Sequence, residues 1–189
     1  MPYYRDMAYY NQAAWRGTWA LDGGGVLMNQ GIHIIDLLIW YLGDPVSILA
    51  SAATVQRDVE VEDVAAAVLT FPGGARASIA ATTTAAAGYP HRLALYGDNG
   101  AIEVEGEGMV RWDLVDAARQ TVAPPARSTE TDAGAGADPK NISADGHAAI
   151  VRDLIEAVQE GRKPAIDGRE GKRSLAVVNG IYRAAGLLA

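Results

Sequence analysis

Between positions 26 and 42 the chain is apolar on nearly every side, and only Asn29, Gln30, His33 and Asp36 bring polar side chains into the run. Such a pattern predicts a buried helix, and Gly43 followed by Asp44-Pro45 predicts where it stops. β-Branched and small residues then predict strands over 46–56, 64–71 and 75–85, with Pro72-Gly73-Gly74 turning the second into the third. Shorter strands are predicted over 92–96, 101–105 and 109–114, the first two joined by Gly97-Asp98-Asn99-Gly100, whose residues tolerate positive φ. Residues 3–12 read as a short helix or turn and 15–19 as extended. From 122 to 141 large apolar groups are scarce, and a mobile surface loop is expected. Two helices close the chain. Over 144–160, Ile150, Leu154, Ile155 and Val158 share a face; over 169–188, Leu175, Val178, Ile181 and Tyr182 do, and Asp167 with Glu170 makes a start resembling a capping box.

This order predicts an α+β domain: a largely antiparallel open sheet with helices packed on one face. Strands 64–69 and 75–85 are apolar or small at both parities, unlike a strand with one face in water. The other face is therefore expected to be an oligomer interface.

At 189 residues the chain reads as a single domain over 1–189, and 49% apolar against 21% charged residues excludes disorder for its bulk. Sixteen basic against 23 acidic residues leave a net charge of −7 with the basic groups scattered, which argues against nucleic acid and anionic membrane as partners. With no cysteine, disulfides, thiolate metal sites and cysteine nucleophiles are excluded, and a cytoplasmic setting fits. The opening MPYYRDMAYYNQ lacks the order of a secretory signal. A spanning helix needs about 20 nearly uninterrupted apolar residues, which 26–42 does not supply.

Within the predicted helix, Asn29, His33 and Asp36 fall at i, i+4 and i+7 and so share one stripe. Buried polar groups without partners cost about 1–3 kcal/mol each, so the stripe must meet hydrogen-bond partners, water or a ligand. An imidazole, with an ordinary pKa of about 6.5, gives and takes protons near neutrality, and Asp36 one turn on could orient it. Two other readings stand beside that one: a polar face satisfied inside the fold, and a metal site in which His33 and Asp36 join His91 or His147. His91 and His147 by themselves read as structural. Gly23-Gly24-Gly25 permits close approach of backbone to a ligand or a neighbouring element, and no G-x-G-x-x-G fingerprint occurs.

The run from Trp15 through Asp22-Gly23-Gly24-Gly25 and Asn29 to His33 and Leu38 resembles the Gfo/Idh/MocA oxidoreductases, the sugar and inositol dehydrogenases, and specifically their C-terminal domain. Tyr89-Pro90-His91-Arg92 leading to Tyr96–Ala101, and His147 through Asp153–Ala157 to Gly161–Pro164, resemble its later segments, so the likeness covers nearly the whole chain. It implies an N-terminal Rossmann domain for NAD or NADP that these residues do not include, with no cofactor expected to bind this chain alone. It also implies a sugar, polyol or nucleotide-sugar substrate and a homo-oligomer joined through the sheet. The family's helix offers Asp and, four residues on, His; here Asn29 and His33 hold those places. By resemblance His33 is the acid/base, Asn29 and Asp36 lie at the substrate, and Arg5, Arg16 and Tyr89 match positions that meet it. The alternative reading is a non-catalytic binding or dimerisation module that kept the fold.

Overall fold

A computed structural model of the chain describes residues 1–106, 108–124 and 145–188. Asp6 caps a four-residue helix, α1 (Met7–Tyr10), by accepting from the Tyr9 N–H. Residues 15–19, expected to be extended, form turns instead. Gly17 takes φ +73°, its N–H donates to the Asp22 carboxylate, and the Thr18 hydroxyl donates to the Trp15 carbonyl, so local polar contacts fold the segment back on itself.

The apolar run begins with a π-helical turn, Leu27–Gly31, and continues as α2 (Ile32–Leu42). It ends as expected at Gly43, whose φ of +79° is open to glycine and whose N–H donates to the Ile39 carbonyl. Arg173 donates to the same carbonyl while ion-pairing with Asp44 and Glu170. Contrary to the expectation of burial all round, only one side of α2 is covered. Ile34, Ile35, Leu38 and Ile39 are buried, whereas His33, Asp36 and Trp40 face outward.

The meander runs through β1 (Ser47–Ala53), β2 (Val64–Thr70), β3 (Arg76–Thr82), β4 (Arg92–Gly97), β5 (Gly100–Glu105), β6 (Gly108–Val115) and β7 (Thr121–Val122). Every pairing between these strands is antiparallel, but they form two sheets, β1-β2-β3 and β4-β5-β6-β7. The break comes between β3 and β4, where residues 1–4 run alongside the end of β3. Val122 lies in β7 rather than in the loop expected over 122–141, and residues 125–141 of that loop lie outside the described residues.

Of the closing helices, α3 (Asp145–Glu160) leaves Ile150, Leu154, Ile155 and Val158 more than half exposed. Helix α4 (Gly168–Ala184) starts at Asp167, which accepts from the Arg169 and Glu170 N–H groups. It packs on α2 and β1. There Val177, Val178, Ile181 and Tyr182 meet Ile35, Ile39, Leu69 and Phe71 in the core. The opposite face of the first sheet is open, and it exposes Leu49 (70%) and Val68 (47%).

Candidate functional site

The helix that carries His33 is fixed at its start by a residue that the sequence reading did not single out. The Glu62 carboxylate, 1% exposed, accepts from the Gly25 N–H at 2.8 Å, the Leu27 N–H at 2.9 Å and the Tyr182 hydroxyl at 2.9 Å. Burial pushes its pKa up, while these three donors pull the other way. Negative charge at a helix start is favoured by the backbone dipoles, so the carboxylate serves as an internal cap. The glycines now have their reason. A Cβ on Gly24 would come within 2.2 Å of the Tyr182 hydroxyl, and one on Gly25 within 1.8 Å of the Glu62 carbonyl oxygen. The close approach is to neighbouring protein, not to a ligand. The signal in the sequence was the acidic pair Glu62-Asp63 opening an apolar strand; Asp63, also buried, accepts from the N–H groups of Val55, Gln56 and Arg57.

The π turn follows directly. A π turn is wider than an α turn and changes the phase of every residue after it. Asn29, inside the turn, directs its side-chain amide inward, donating to the Asp22 carboxylate and the Gly24 carbonyl at 3.1 Å each. His33 and Asp36, past the turn, are exposed. Neither forms a hydrogen bond to a described residue, so Asp36 does not orient the ring in this structure. Asp36 instead lines a cavity of about 250 Å³ between α2 and α4, with Trp40, Ile166, Glu170 and Arg173.

Arg5 and Arg16 do come together. Their guanidinium carbons lie 5.3 and 4.3 Å from the centre of the Tyr9 ring, and Arg16 also stacks on Trp15 at 4.6 Å. Arg5 is 6% exposed and donates to the Tyr4 carbonyl at 2.7 Å. The Nε of Arg16 is buried without a partner among the described residues, an unspent donor. Tyr3 ties this cluster to the histidine helix. Its ring lies 6.0 Å from Arg5 and 6.4 Å from the His91 ring, and its hydroxyl donates to the Gln30 carbonyl at 3.4 Å. Burial raises the Tyr3 hydroxyl to about 12, so it stays a donor. Tyr89 reaches the same corner through its backbone N–H, which donates to the Pro2 carbonyl, while its side chain is exposed. Among the described residues, His33 and Asp36 are not gathered with His91 or His147 into a group of three that could hold a metal ion. His147 stands exposed on α3.

Three comparisons bear on what this arrangement belongs to. The WlbA dehydrogenase from Bordetella pertussis, solved in complex with NADH and UDP-GlcNAcA, is similar at 32% identity with a TM-score of 0.77, over 97% of this chain and 50% of that one. An aldose-aldose oxidoreductase from Caulobacter crescentus, complexed with glycerol, is similar at 27% identity with a TM-score of 0.66, over 91% of this chain and 48% of that one. Inositol 2-dehydrogenase of Rhizobium meliloti (strain 1021) is 25% identical over 170 residues, which are 85% of this chain and 47% of that protein. The chain thus spans about half the length of the relatives it matches. Fold and helix motif together define an α+β domain of the kind that forms about half of these relatives. The chain belongs to the Gfo/Idh/MocA family, since residues 2–103 match the model of the GFO/IDH/MocA C-terminal domain.

Proposed function

We propose that this chain is the substrate-binding and oligomerisation half of an NAD(P)-dependent sugar or polyol dehydrogenase, with His33 as the group that moves the proton. The observation that carries the reading is the placement of His33. It stands exposed, without a hydrogen-bond partner among the described residues, at the first turn of a helix whose start is pinned from behind by Glu62 and Tyr182. A rigid backbone with a free imbalance of hydrogen bonding at the imidazole suits proton transfer to or from a substrate hydroxyl.

The residues described here do not fit a dinucleotide. The inward N–H groups at the helix start, where a pyrophosphate would be held, are already taken by the Glu62 carboxylate. The cofactor belongs in this reading to a separate Rossmann domain. His33 takes the proton of a hydroxyl as it becomes a carbonyl, or returns it in the reverse direction. Asn29, with its amide donors spent on Asp22 and Gly24, offers its side-chain oxygen to a hydroxyl. Arg5 and Arg16 suit a carboxylate or phosphate on the substrate, because a guanidinium binds either in two places. That charge preference supports a sugar acid or nucleotide-linked sugar, in keeping with the UDP-GlcNAcA bound by the Bordetella relative.

The test is His33→Ala in the enzyme assembled with its cofactor-binding domain. Turnover is expected to fall roughly a hundred- to ten-thousand-fold with the melting temperature unchanged; near-normal turnover removes His33 from the mechanism. Titration of this chain alone with NADH and NADPH is expected to show no binding into the high micromolar range, and clear micromolar binding would mean that these residues hold a cofactor site.

A further inference from the structure

Behind Asn29 stands a half-buried carboxylate, that of Asp22, anchored on one oxygen and spending the other on the asparagine. Its Oδ2 accepts from the Gly17 N–H at 2.8 Å. The N–H groups of Asp22 and Gly23 both donate to the Thr18 carbonyl, at 3.0 and 3.3 Å, so the backbone that carries the carboxylate is a closed turn. Its Oδ1 accepts from the Asn29 side-chain amide at 3.1 Å, one turn ahead of His33. An acceptor fixed in this way from two sides can hold a neighbouring side chain in one rotamer.

The Asn29 Nδ2 meets three acceptors in all: Asp22 Oδ1, the Gly24 carbonyl at 3.1 Å and the Gly25 carbonyl at 3.4 Å. A side-chain amide has one donor end and one acceptor end. Turned over, it would set its oxygen against three others, so the hydrogen-bond network admits a single orientation. The nitrogen faces the protein, and the oxygen, on the other branch of the amide, accepts from no described residue. An ionised aspartate at position 29 would have no proton for any of the three acceptors, and its charge would face that of Asp22. The surroundings of this position therefore ask for a donor inward and leave an acceptor outward.

We propose that Asp22 is a positioning residue that acts through Asn29. It locks the amide with its oxygen toward the substrate, and so makes the site read one substrate hydroxyl as a hydrogen-bond donor. A hydroxyl has a proton to give to that oxygen. An ether or a carbonyl in the same place sets acceptor against acceptor and is refused, because a polar contact left unmade discriminates far more sharply than a missing methylene. Proton transfer stays with His33, and the locked amide orients the substrate for it. The role at the substrate rests on the dehydrogenase reading above; the orientation of the amide does not.

Two measurements test the assignment. In this chain alone, exchange of the Asn29 side-chain amide protons with water, read by nitrogen-15 NMR, is expected to be about tenfold slower than that of the exposed Asn11 side chain. Asp22→Ala is expected to remove most of that protection, and Asp22→Ser is the second variant should the first not fold. Exchange as fast as that of Asn11 in the parent, or protection unchanged in a folded variant, overturns the proposal. The second measurement uses the enzyme assembled with its cofactor-binding domain and UDP-GlcNAcA, the compound bound by the Bordetella relative. There Asp22→Ala is expected to raise KM about tenfold while kcat stays within about twofold, since the hydroxyl contact is made in ground and transition states alike. In an Asn29→Ala background the same substitution is expected to add nothing. A carboxylate that served only the turn at Gly17 would raise KM equally in both backgrounds, and that result overturns the proposal. Exchange needs neither substrate nor turnover. If the assembled enzyme leaves UDP-GlcNAcA unchanged, the dehydrogenase reading loses that substrate, while the locked amide stands or falls on exchange alone.

Discussion

Two buried carboxylates carry opposite burdens. Glu62 accepts from three donors at the helix start, so in Glu62→Gln an amide N–H must face one of them. Leaving such a group unsatisfied costs about 1–3 kcal/mol, measurable as a lower midpoint in denaturant unfolding. Glu103 lies in β5, where Tyr96, Arg92 and Arg111 all donate to it. The Tyr96 hydroxyl foremost, then Arg92, holds its carboxyl below the ordinary glutamate value. A carboxyl lowered in the folded state contributes stability that is present above its ordinary value and lost as pH falls through the lowered one. The stability difference between the parent and Glu103→Gln is therefore expected at pH 7 and should close as the pH drops below about 4. Glu62, raised by burial, bends the curve the other way, and its ionisation works against the fold as pH rises. A difference for Glu103→Gln that stays constant across this range would show that the cluster's charge contributes nothing.

At the level of elements, the histidine helix depends on two residues without side chains. Gly25→Ala places a methyl group against the Glu62 backbone, which cannot swing away as a side-chain tip can. Overpacking of this kind costs roughly 1–3 kcal/mol or more. It should also shift the π turn, so Gly25→Ala is expected to lower the melting temperature and to alter the environment of His33, read from its ring proton shifts. Much of this helix was legible beforehand. The stop at Gly43, the apolar composition and the polar positions are all written in local sequence. The π turn was not, because periodicity arguments assume an unbroken 100° step, and the Glu62 carboxylate that holds the start of the helix lies 37 residues from Gly25. The stripe of Asn29, His33 and Asp36 divides at the same turn: Asn29 turns inward to Asp22 while the other two are exposed. The turn at Pro72-Gly73-Gly74 was legible from its proline and glycines. The turns at 15–19 were missed, where the dictating contacts are the Asp22 and Thr18 side chains.

For the whole molecule, the reading of strands apolar at both parities corresponds to a sheet with one face on α2 and α4 and the other open. Large apolar groups on that open face, Leu49 and Val68 among them, are the proposed subunit contact. Leu49→Lys together with Val68→Lys is expected to shift the sedimentation coefficient toward the monomer while the chain stays folded; unchanged sedimentation would place the contact elsewhere. The division into two sheets was not legible, since strand count and antiparallel order are the same for one sheet or two. Only the partner of an edge distinguishes them, and an edge's partner is a long-range fact.

The Glu62 cap also sets an order of assembly. Its backbone donors lie 35 and 37 residues away, but its third donor, Tyr182, is 120 residues further along the chain. A contact that spans so much sequence forms late, because the intervening loop must close before it is rewarded. As the chain leaves the ribosome, the helix bearing His33 emerges before α4 and waits, its start only partly held, until α4 docks. The helix that carries His33 is thus completed by a contact from α4, and a nascent chain stopped short of Tyr182 holds its histidine on an unfinished helix.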